Sequence, residues 1–220
     1  ATAIERPVPV MDPDEVKKIL EYSALSDSNL EKNPDAAFDK VALRVAGFGG
    51  QGIMSAGIAL ANVGMEYGYN VSWLPSYGPE MRGGTANCSV KIQGDTIGAS
   101  ECTEPNMLIA MNQPSLEKFE KIIVPDGALI YNTTLINIEP VRRDVKVYPI
   151  PITGIADELG DTRVQSMVNV GAFAAVTGMF DPGEIENLMS SLFKGKPESV
   201  IKLNKKAVRK GYEYVKENFS

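Results

Sequence analysis

Residues 41–74, VALRVAGFGGQGIMSAGIALANVGMEYGYNVSWL, contain an apolar segment, a glycine-rich turn, a helix pattern and a second apolar segment. The two apolar segments, Val41–Ala46 and Asn70–Leu74, are short enough to be strands, and Arg44 alone interrupts the first. Between them, apolar residues recur at helical spacing from Ile53 onward. A strand, a crossover helix and a second strand predict a βαβ unit whose two strands pair in parallel.

Alternating strand and helix patterns continue beyond this unit. Residues 85–92 alternate between apolar and polar side chains, which predicts a half-buried strand in a hairpin with a short strand at residues 96–98. Further strands are predicted at residues 106–111, 128–132 and 145–150, and helices at 115–121, 166–178, from 181 onward and 197–218. The fold class is therefore α/β. We predict a Rossmann-like, open and mostly parallel sheet, with helices on both faces and a β-hairpin after the second strand.

Residues 1–40 differ in character from the rest of the chain. Asp12-Pro13-Asp14-Glu15 combines an N-cap residue, a proline at the first helical position and an early carboxylate, and it predicts a short helix. The polar stretch at residues 26–40 is typical of a linker. We therefore predict an N-terminal extension at residues 1–40 and one α/β domain at residues 41–220. The extension either docks on a neighbouring subunit or forms a surface arm.

The composition argues against several kinds of independent function. The net charge is -6, whereas non-specific nucleic-acid binding relies on Lys and Arg. No apolar run reaches the ~20 residues of a membrane span, and no signal pattern is present, so a cytoplasmic location is expected. The sequence has no histidine and only two cysteines, Cys88 and Cys102. It therefore lacks the commonest general base and the four thiolates of a typical iron–sulfur cluster, and we predict neither catalytic nor metal-binding residues.

The glycine-rich turn is the first candidate binding site. Gly47, Gly49 and Gly52 form a G-x-G-x-x-G pattern between a predicted strand and a predicted helix. Backbone N–H groups at such a helix N-terminus favour an anion such as phosphate, and Gly50 and Gln51 would add further donors. The alternative is a tight turn that requires glycine for its geometry alone. A dinucleotide site would also need Asp or Glu at the end of the second strand, and none is present there.

The second candidate site is the loop at residues 76–84, SYGPEMRGG, at the carboxyl end of the second strand. Ligands of open α/β sheets bind at this end. Arg82 offers a forked donor array for phosphate or carboxylate, Tyr77 offers a ring and a hydroxyl, and Ser76 lies beside them. Glu80 either belongs to the site or pairs with Arg82 in a rigid turn.

Two joined motifs carry a family resemblance. GFGGQG at residues 47–52, followed by PSYGPEMRGGTANCSVKI at residues 75–92, resembles the gamma subunit of 2-oxoacid:ferredoxin oxidoreductases. NVGA at residues 169–172 and the Thr177-Gly178 pair are also similar to that family. The stretch EMRGGTANCSV resembles the 2-oxoglutarate and branched-chain types more than the pyruvate type. The resemblance extends from about Val41 to the C-terminus.

The resemblance implies a non-catalytic subunit of an enzyme complex. Such complexes oxidatively decarboxylate a 2-oxoacid, transfer the acyl group to coenzyme A and reduce ferredoxin. Thiamine diphosphate and the iron–sulfur clusters are expected on the partner subunits, named alpha and beta, with a delta subunit as a further partner. The gamma region would help to bind coenzyme A and to hold the complex together, without a complete active site of its own.

Three functions remain open at this stage. In the first, the glycine turn donates to a coenzyme A phosphate, and the loop at residues 76–84 forms the facing wall. In the second, the gamma subunit is purely structural and its glycine loops contact only a partner. In the third, the chain is an independent oxidoreductase that binds a nicotinamide or flavin cofactor.

Overall fold

The computed structural model describes residues 30–76 and 85–219, and the predicted helix after Asp12 lies outside them. The described residues form a sheet of six strands: β1 (Lys40–Phe48), β2 (Asn70–Ser76), β3 (Thr85–Gln93), β4 (Met107–Ala110), β5 (Ala128–Asn132) and β6 (Lys146–Ile150). Around the sheet lie six α-helices: α1 (Ile53–Glu66), α2 (Gln113–Phe119), α3 (Ile152–Glu158), α4 (Gln165–Thr177), α5 (Pro182–Leu192) and α6 (Glu198–Phe219). Short 3₁₀ turns occupy Glu120–Ile122 and Thr162–Val164.

The strand order is β2-β3-β1-β4-β5-β6, and β1, β4, β5 and β6 run parallel. This confirms the predicted open, mostly parallel α/β sheet. The direct pairing of the first two strands is wrong, because β3 lies between β1 and β2 and is antiparallel to both. In the register, Val45 of β1 is opposite Cys88 of β3, and Val90 of β3 is opposite Trp73 of β2.

The predicted hairpin between residues 85–92 and 96–98 is also wrong, since residues 96–98 form no strand. Strand β3 forms its hairpin with β2 instead, and both of its edges are already paired. The chain after β3 crosses the sheet, where Lys91 donates to the carbonyl of Ala99 at 2.7 Å. Arg44 of β1 donates to the carbonyl of Cys102 in the same segment. These two cations bind the segment to the sheet through its carbonyl groups.

Helices cover both faces of the sheet, as predicted. The larger core lies between the sheet and helices α1, α4, α5 and α6, with Leu43, Val45 and Phe173 fully buried. The smaller core lies on the opposite face, where Leu116 and Phe119 of α2 pack on the sheet. Among the described residues, no helix combines the length and the apolar character that crossing a membrane requires.

Helix α4 is buried along its whole length and packs directly on α6. Two glycines face each other at this crossing. A methyl group added at Gly171 of α4 would overlap the carbonyl oxygen of Val208 of α6 and lie 2.9 Å from the Tyr212 nitrogen. A methyl group added at Gly211 of α6 would overlap the carbonyl oxygen of Val168 of α4. The two backbones therefore touch, which only glycine permits.

Residues 30–39, the described part of the predicted extension, pack against the C-terminal end of α4. The Ala37 amide donates to the Thr177 carbonyl at 2.8 Å, and the Asn33 side chain donates to the Gly178 carbonyl at 2.8 Å. Lys32 lies over the ring of Tyr69, with its nitrogen 4.5 Å from the centroid. The two hydrogen bonds give partners to carbonyls at the end of α4 that the helix itself leaves unpaired.

Each outer strand of the described sheet contains a proline. Pro75 is in β2 and Pro149 is in β6, the two edges of the strand order. Proline has no N–H to donate, and it is confined to edge strands for that reason.

Candidate functional site

The glycine turn connects β1 to α1 at the carboxyl end of β1. Gly50 has φ 90° and Gly52 has φ 71°, left-handed conformations that favour glycine. Gly52 is also the N-cap of α1. Within the turn, the Gln51 amide donates to the Phe48 carbonyl at 3.2 Å, and the Phe48 amide donates to Gln51 Oε1 at 2.6 Å. The side chain of Gln51 therefore closes the turn on itself.

The turn has a packed part and an open part. A methyl group at Gly47 would lie 2.7 Å from Ile53 Cδ1 and 2.8 Å from Met111 Cβ, and one at Gly52 would lie 2.9 Å from Ser166 Cβ. At Gly49 and Gly50 an added methyl would meet nothing within 4 Å. The open part is exposed to solvent.

The open part lies next to the N-terminus of α1. The first turn of this helix contains no acidic residue, and its leading N–H groups have no partner within the helix. Backbone donors and a helix dipole without a local carboxylate suit an anion. The donor set and the open space therefore fit a phosphate group of a cofactor.

Asparagine side chains lie at the ends of the neighbouring strands. Asn112, two residues after the end of β4, donates to Gln51 Oε1 at 3.3 Å and accepts from the Ser115 amide at 2.9 Å, so it caps α2. Gln51 in turn donates to the Met111 carbonyl at 3.2 Å. The glycine turn is thereby joined to the end of β4.

Asn132, the last residue of β5, is fully buried. Its amide nitrogen donates to Thr153 Oγ1 at 2.8 Å and to the Met111 carbonyl at 3.4 Å. Its amide oxygen accepts from the amides of Thr153 at 3.2 Å and Thr134 at 3.3 Å. Thr153 Oγ1 also donates to Gln165 Oε1 at 3.1 Å. One asparagine thus connects β4, β5, α3 and the start of α4.

Asn169 of α4 occupies the interior beneath these strand ends. Its nitrogen lies 3.2 Å from Met111 Sδ, and its oxygen is buried without a hydrogen-bond partner in the described residues. The NVGA motif thus points Asn169 towards the sheet and Gly171 towards α6.

The sequence predicted the glycine turn but assigned no role to Asn112, Asn132 or Thr153. Asparagine after a strand is also typical of an ordinary turn, so the pattern alone does not distinguish a buried network. The one available signal was that two apolar strands each end next to asparagine.

Ser76 is the last residue of β2. It lies on the side of the sheet where the glycine turn follows β1. It is opposite Asn87 of β3, and Asn87 is opposite Ala46 of β1, so Ser76 is two strand spacings, roughly 10 Å, from β1. The other predicted members of this wall, Tyr77, Glu80 and Arg82, lie outside the described residues. Their place in the site remains a prediction.

The two cysteines are both free and both buried. Burial raises the pKa of Cys88 to about 12, and burial also raises the pKa of Cys102. Thiols with raised pKa values are poor nucleophiles at neutral pH. In residues 30–76 and 85–219, no group of three or more His, Cys, Asp or Glu side chains could bind a metal ion.

Comparison with known proteins finds matches over most of the chain. Residues 42–214 match the family model described as pyruvate ferredoxin/flavodoxin oxidoreductase. The ketoisovalerate oxidoreductase subunit VorA of Methanothermobacter thermautotrophicus is 34% identical over 199 residues, which is 90% of this chain and 41% of VorA.

Two solved structures are also similar. One is the 2-oxoglutarate:ferredoxin oxidoreductase of Magnetococcus marinus with 2-oxoglutarate, coenzyme A and succinyl-CoA bound. It has a TM-score of 0.73 and 27% identity, over 82% of this chain and 32% of that one. The other is the keto/oxoacid ferredoxin oxidoreductase gamma subunit of Geobacter sulfurreducens, with a TM-score of 0.69 and 27% identity, over 80% of this chain and 99% of that one. This chain therefore spans well under half the length of VorA and of the Magnetococcus chain.

Proposed function

The chain belongs to the pyruvate ferredoxin/flavodoxin oxidoreductase family, and we propose that it is the non-catalytic gamma subunit of a 2-oxoacid:ferredoxin oxidoreductase. In that role it contributes to coenzyme A binding, which the coenzyme A-bound Magnetococcus structure supports, and to assembly of the complex. The observation that carries the proposal is the open part of the glycine turn at Gly49 and Gly50, beside the N-terminus of α1. Backbone donors there suit a phosphate of coenzyme A.

The reaction of the whole complex is the oxidative decarboxylation of a 2-oxoacid to its acyl-CoA with reduction of ferredoxin. The chemistry belongs to the partner chains, alpha, beta and, where present, delta, which carry thiamine diphosphate and the iron–sulfur clusters. The two cysteines of this chain are too few and too deeply buried to bind a cluster. Coenzyme A, when bound, accepts the acyl group, and this chain's part is to bind and orient it.

The substrate is proposed to be 2-oxoglutarate or a branched-chain 2-oxoacid. The motif at residues 80–90 favours these types over the pyruvate type. VorA is named for ketoisovalerate, and the Magnetococcus structure is named for 2-oxoglutarate, which supports the same choice. An independent nicotinamide- or flavin-dependent enzyme is not favoured, because the described part of β2 ends without a ribose-binding carboxylate.

The test of the coenzyme A role is Gly49→Ala in the reconstituted complex. Because an added methyl meets no protein atom within 4 Å, the variant should fold and assemble normally. If a phosphate approaches the backbone there, the methyl occupies part of its space. The KM for coenzyme A should then rise about tenfold, equivalent to about 1.4 kcal/mol, while the KM for the 2-oxoacid stays unchanged.

Gly98→Ala is the matched control, because Gly98 also has nothing within 4 Å of an added methyl and lies outside the turn. Steady-state kinetics of both variants, with size-exclusion chromatography of each complex, separates ligand binding from assembly. Unchanged coenzyme A kinetics in Gly49→Ala would favour a purely structural subunit.

Arg82→Ala provides a second test from the facing loop. A charge-assisted hydrogen bond to phosphate contributes about 1.5–3 kcal/mol. Its loss should raise the KM for coenzyme A by roughly 10- to 100-fold, with little change for the 2-oxoacid. If Arg82 only pairs with Glu80 or a partner chain, the variant should instead impair assembly and lower activity at every coenzyme A concentration. Kinetics and size-exclusion chromatography of the same preparation distinguish the two.

A further inference from the structure

The loop between β5 and β6, residues 133–145, exposes three large aliphatic side chains. Leu135 is 45% exposed, Ile138 is 37% exposed and Val141 is 69% exposed. They are three of the seven large hydrophobic side chains exposed in residues 30–76 and 85–219, and they lie within seven positions of one another. Scattered exposed hydrophobic residues are ordinary, but a group on one loop is typical of a binding surface.

Buried polar groups support the middle of this loop. Glu120, which is only 4% exposed, accepts a hydrogen bond from the Val141 amide at 2.9 Å. Arg142 donates to the carbonyl of Glu120 at 3.1 Å and to that of Ile123 at 2.7 Å. It also forms a two-pronged pair with Asp144, at 2.6 and 2.7 Å. The backbone of Val141, the most exposed of the three, is therefore bound by Glu120, and the side chain of the next residue, Arg142, anchors the loop.

The start of the loop is attached to the candidate site. The Leu135 amide donates to the Asn132 carbonyl at 3.1 Å, and Thr134 Oγ1 accepts from the Gly154 amide at 3.0 Å. Ile136, between the exposed residues, is buried in the smaller core. Hydrogen bonds and the buried Ile136 therefore hold the loop in one conformation, and the loop begins at the carboxyl end of β5.

We propose that residues 133–145 are the docking surface for a catalytic partner chain of the same oxidoreductase, with Leu135, Ile138 and Val141 at its apolar centre. The inference rests on the proposed function and adds the surface through which the complex assembles. A rigid loop loses little conformational entropy on binding. Most of the free energy gained by burying its exposed aliphatic side chains therefore contributes to affinity. A partner bound at the Leu135 end of the loop would lie near the carboxyl end of β5, on the side of the sheet where the glycine turn follows β1.

One observation favours a different chain over a second copy of this one. Related proteins carry this domain both as a separate polypeptide, as in the Geobacter gamma subunit, and as 41% of a longer chain, as in VorA. A domain found in both arrangements needs a surface that fits the same neighbour.

The test is Val141→Glu and Leu135→Glu in the full chain, each mixed with the purified companion chains. Burying an unpaired carboxylate at an apolar interface centre should weaken association by at least about tenfold. Ile58→Glu is the matched control, because Ile58 is 43% exposed on α1, away from the loop. Association is measured by analytical ultracentrifugation, and thermal unfolding of each free chain checks that all three variants fold.

The expected result is weakened assembly for both loop variants, normal assembly for Ile58→Glu and unchanged unfolding temperatures. Normal assembly of the loop variants, or equal weakening by Ile58→Glu, would overturn the inference. The inference would also be overturned if the free wild-type chain formed a dimer that Val141→Glu dissociates, because the loop would then bind a second copy. Failure of the wild-type chain to join any companion chain would instead contradict the proposed function itself.

Discussion

Gly171→Ala should destabilise the domain by about 3 kcal/mol and lower its melting temperature by roughly 6–12 °C. The added methyl would overlap the carbonyl oxygen of Val208, which belongs to the backbone of α6 and cannot rotate away. The two helices would have to separate, opening the larger core at its most buried helix. Thermal and denaturant unfolding of the full chain measure the loss.

Alanine has a higher helix propensity than glycine by about 1 kcal/mol, so the local effect of the substitution is stabilising. Any net loss must therefore come from packing. Gly211→Ala should cost a similar amount, and the double variant should lose less than the sum, because the first methyl already separates the helices. Gly98→Ala is the control, since a methyl group added there would meet nothing within 4 Å. A wild-type melting temperature for Gly171→Ala would contradict the close crossing.

Asn132→Ala should destabilise the domain by about 2–4 kcal/mol. The change leaves the Thr153 amide, the Thr134 amide and the Met111 carbonyl with fewer hydrogen bonds at a fully buried position. Because these groups belong to the residue after β4, the loop after β5 and α3, the strand ends below the glycine turn should loosen as well. Urea unfolding gives the stability loss as a lower midpoint.

The control for this prediction is Asn187→Ala, at an exposed asparagine on α5. It should unfold at the wild-type midpoint. In the complex, Asn132→Ala should also raise the KM for coenzyme A, whereas Asn187→Ala should not. A buried asparagine that could be removed without loss would show that the network contributes little to stability.

Much of the fold follows from the periodicity of the sequence. The strand and helix patterns correctly predicted β1, β3, α1 and α4 to within a few residues. The error concerned pairing, because alternation in residues 85–92 shows that one face is buried but not which strands lie on either side. Helix α3 was missed because it is seven residues long and begins after Pro151 without a side-chain cap.

The candidate site was predictable only where local geometry dictates the residue type. Left-handed backbone at Gly50 and Gly52 leaves a clear signal in the sequence. The hydrogen bond between Asn132 and Thr153 leaves no such signal, because the two residues are 21 positions apart. Such a contact depends on the strand order, which the single sequence did not determine.

The prolines at the two edges of the sheet have a consequence for behaviour at high concentration. An exposed outer strand is a template onto which another chain can add its own strand, and repeated addition leads to fibrils. Pro75 and Pro149 each remove one N–H from the outermost strands, so an incoming strand could not form an unbroken ladder at either side. We therefore expect concentrated solutions of the free chain to resist cross-β aggregation.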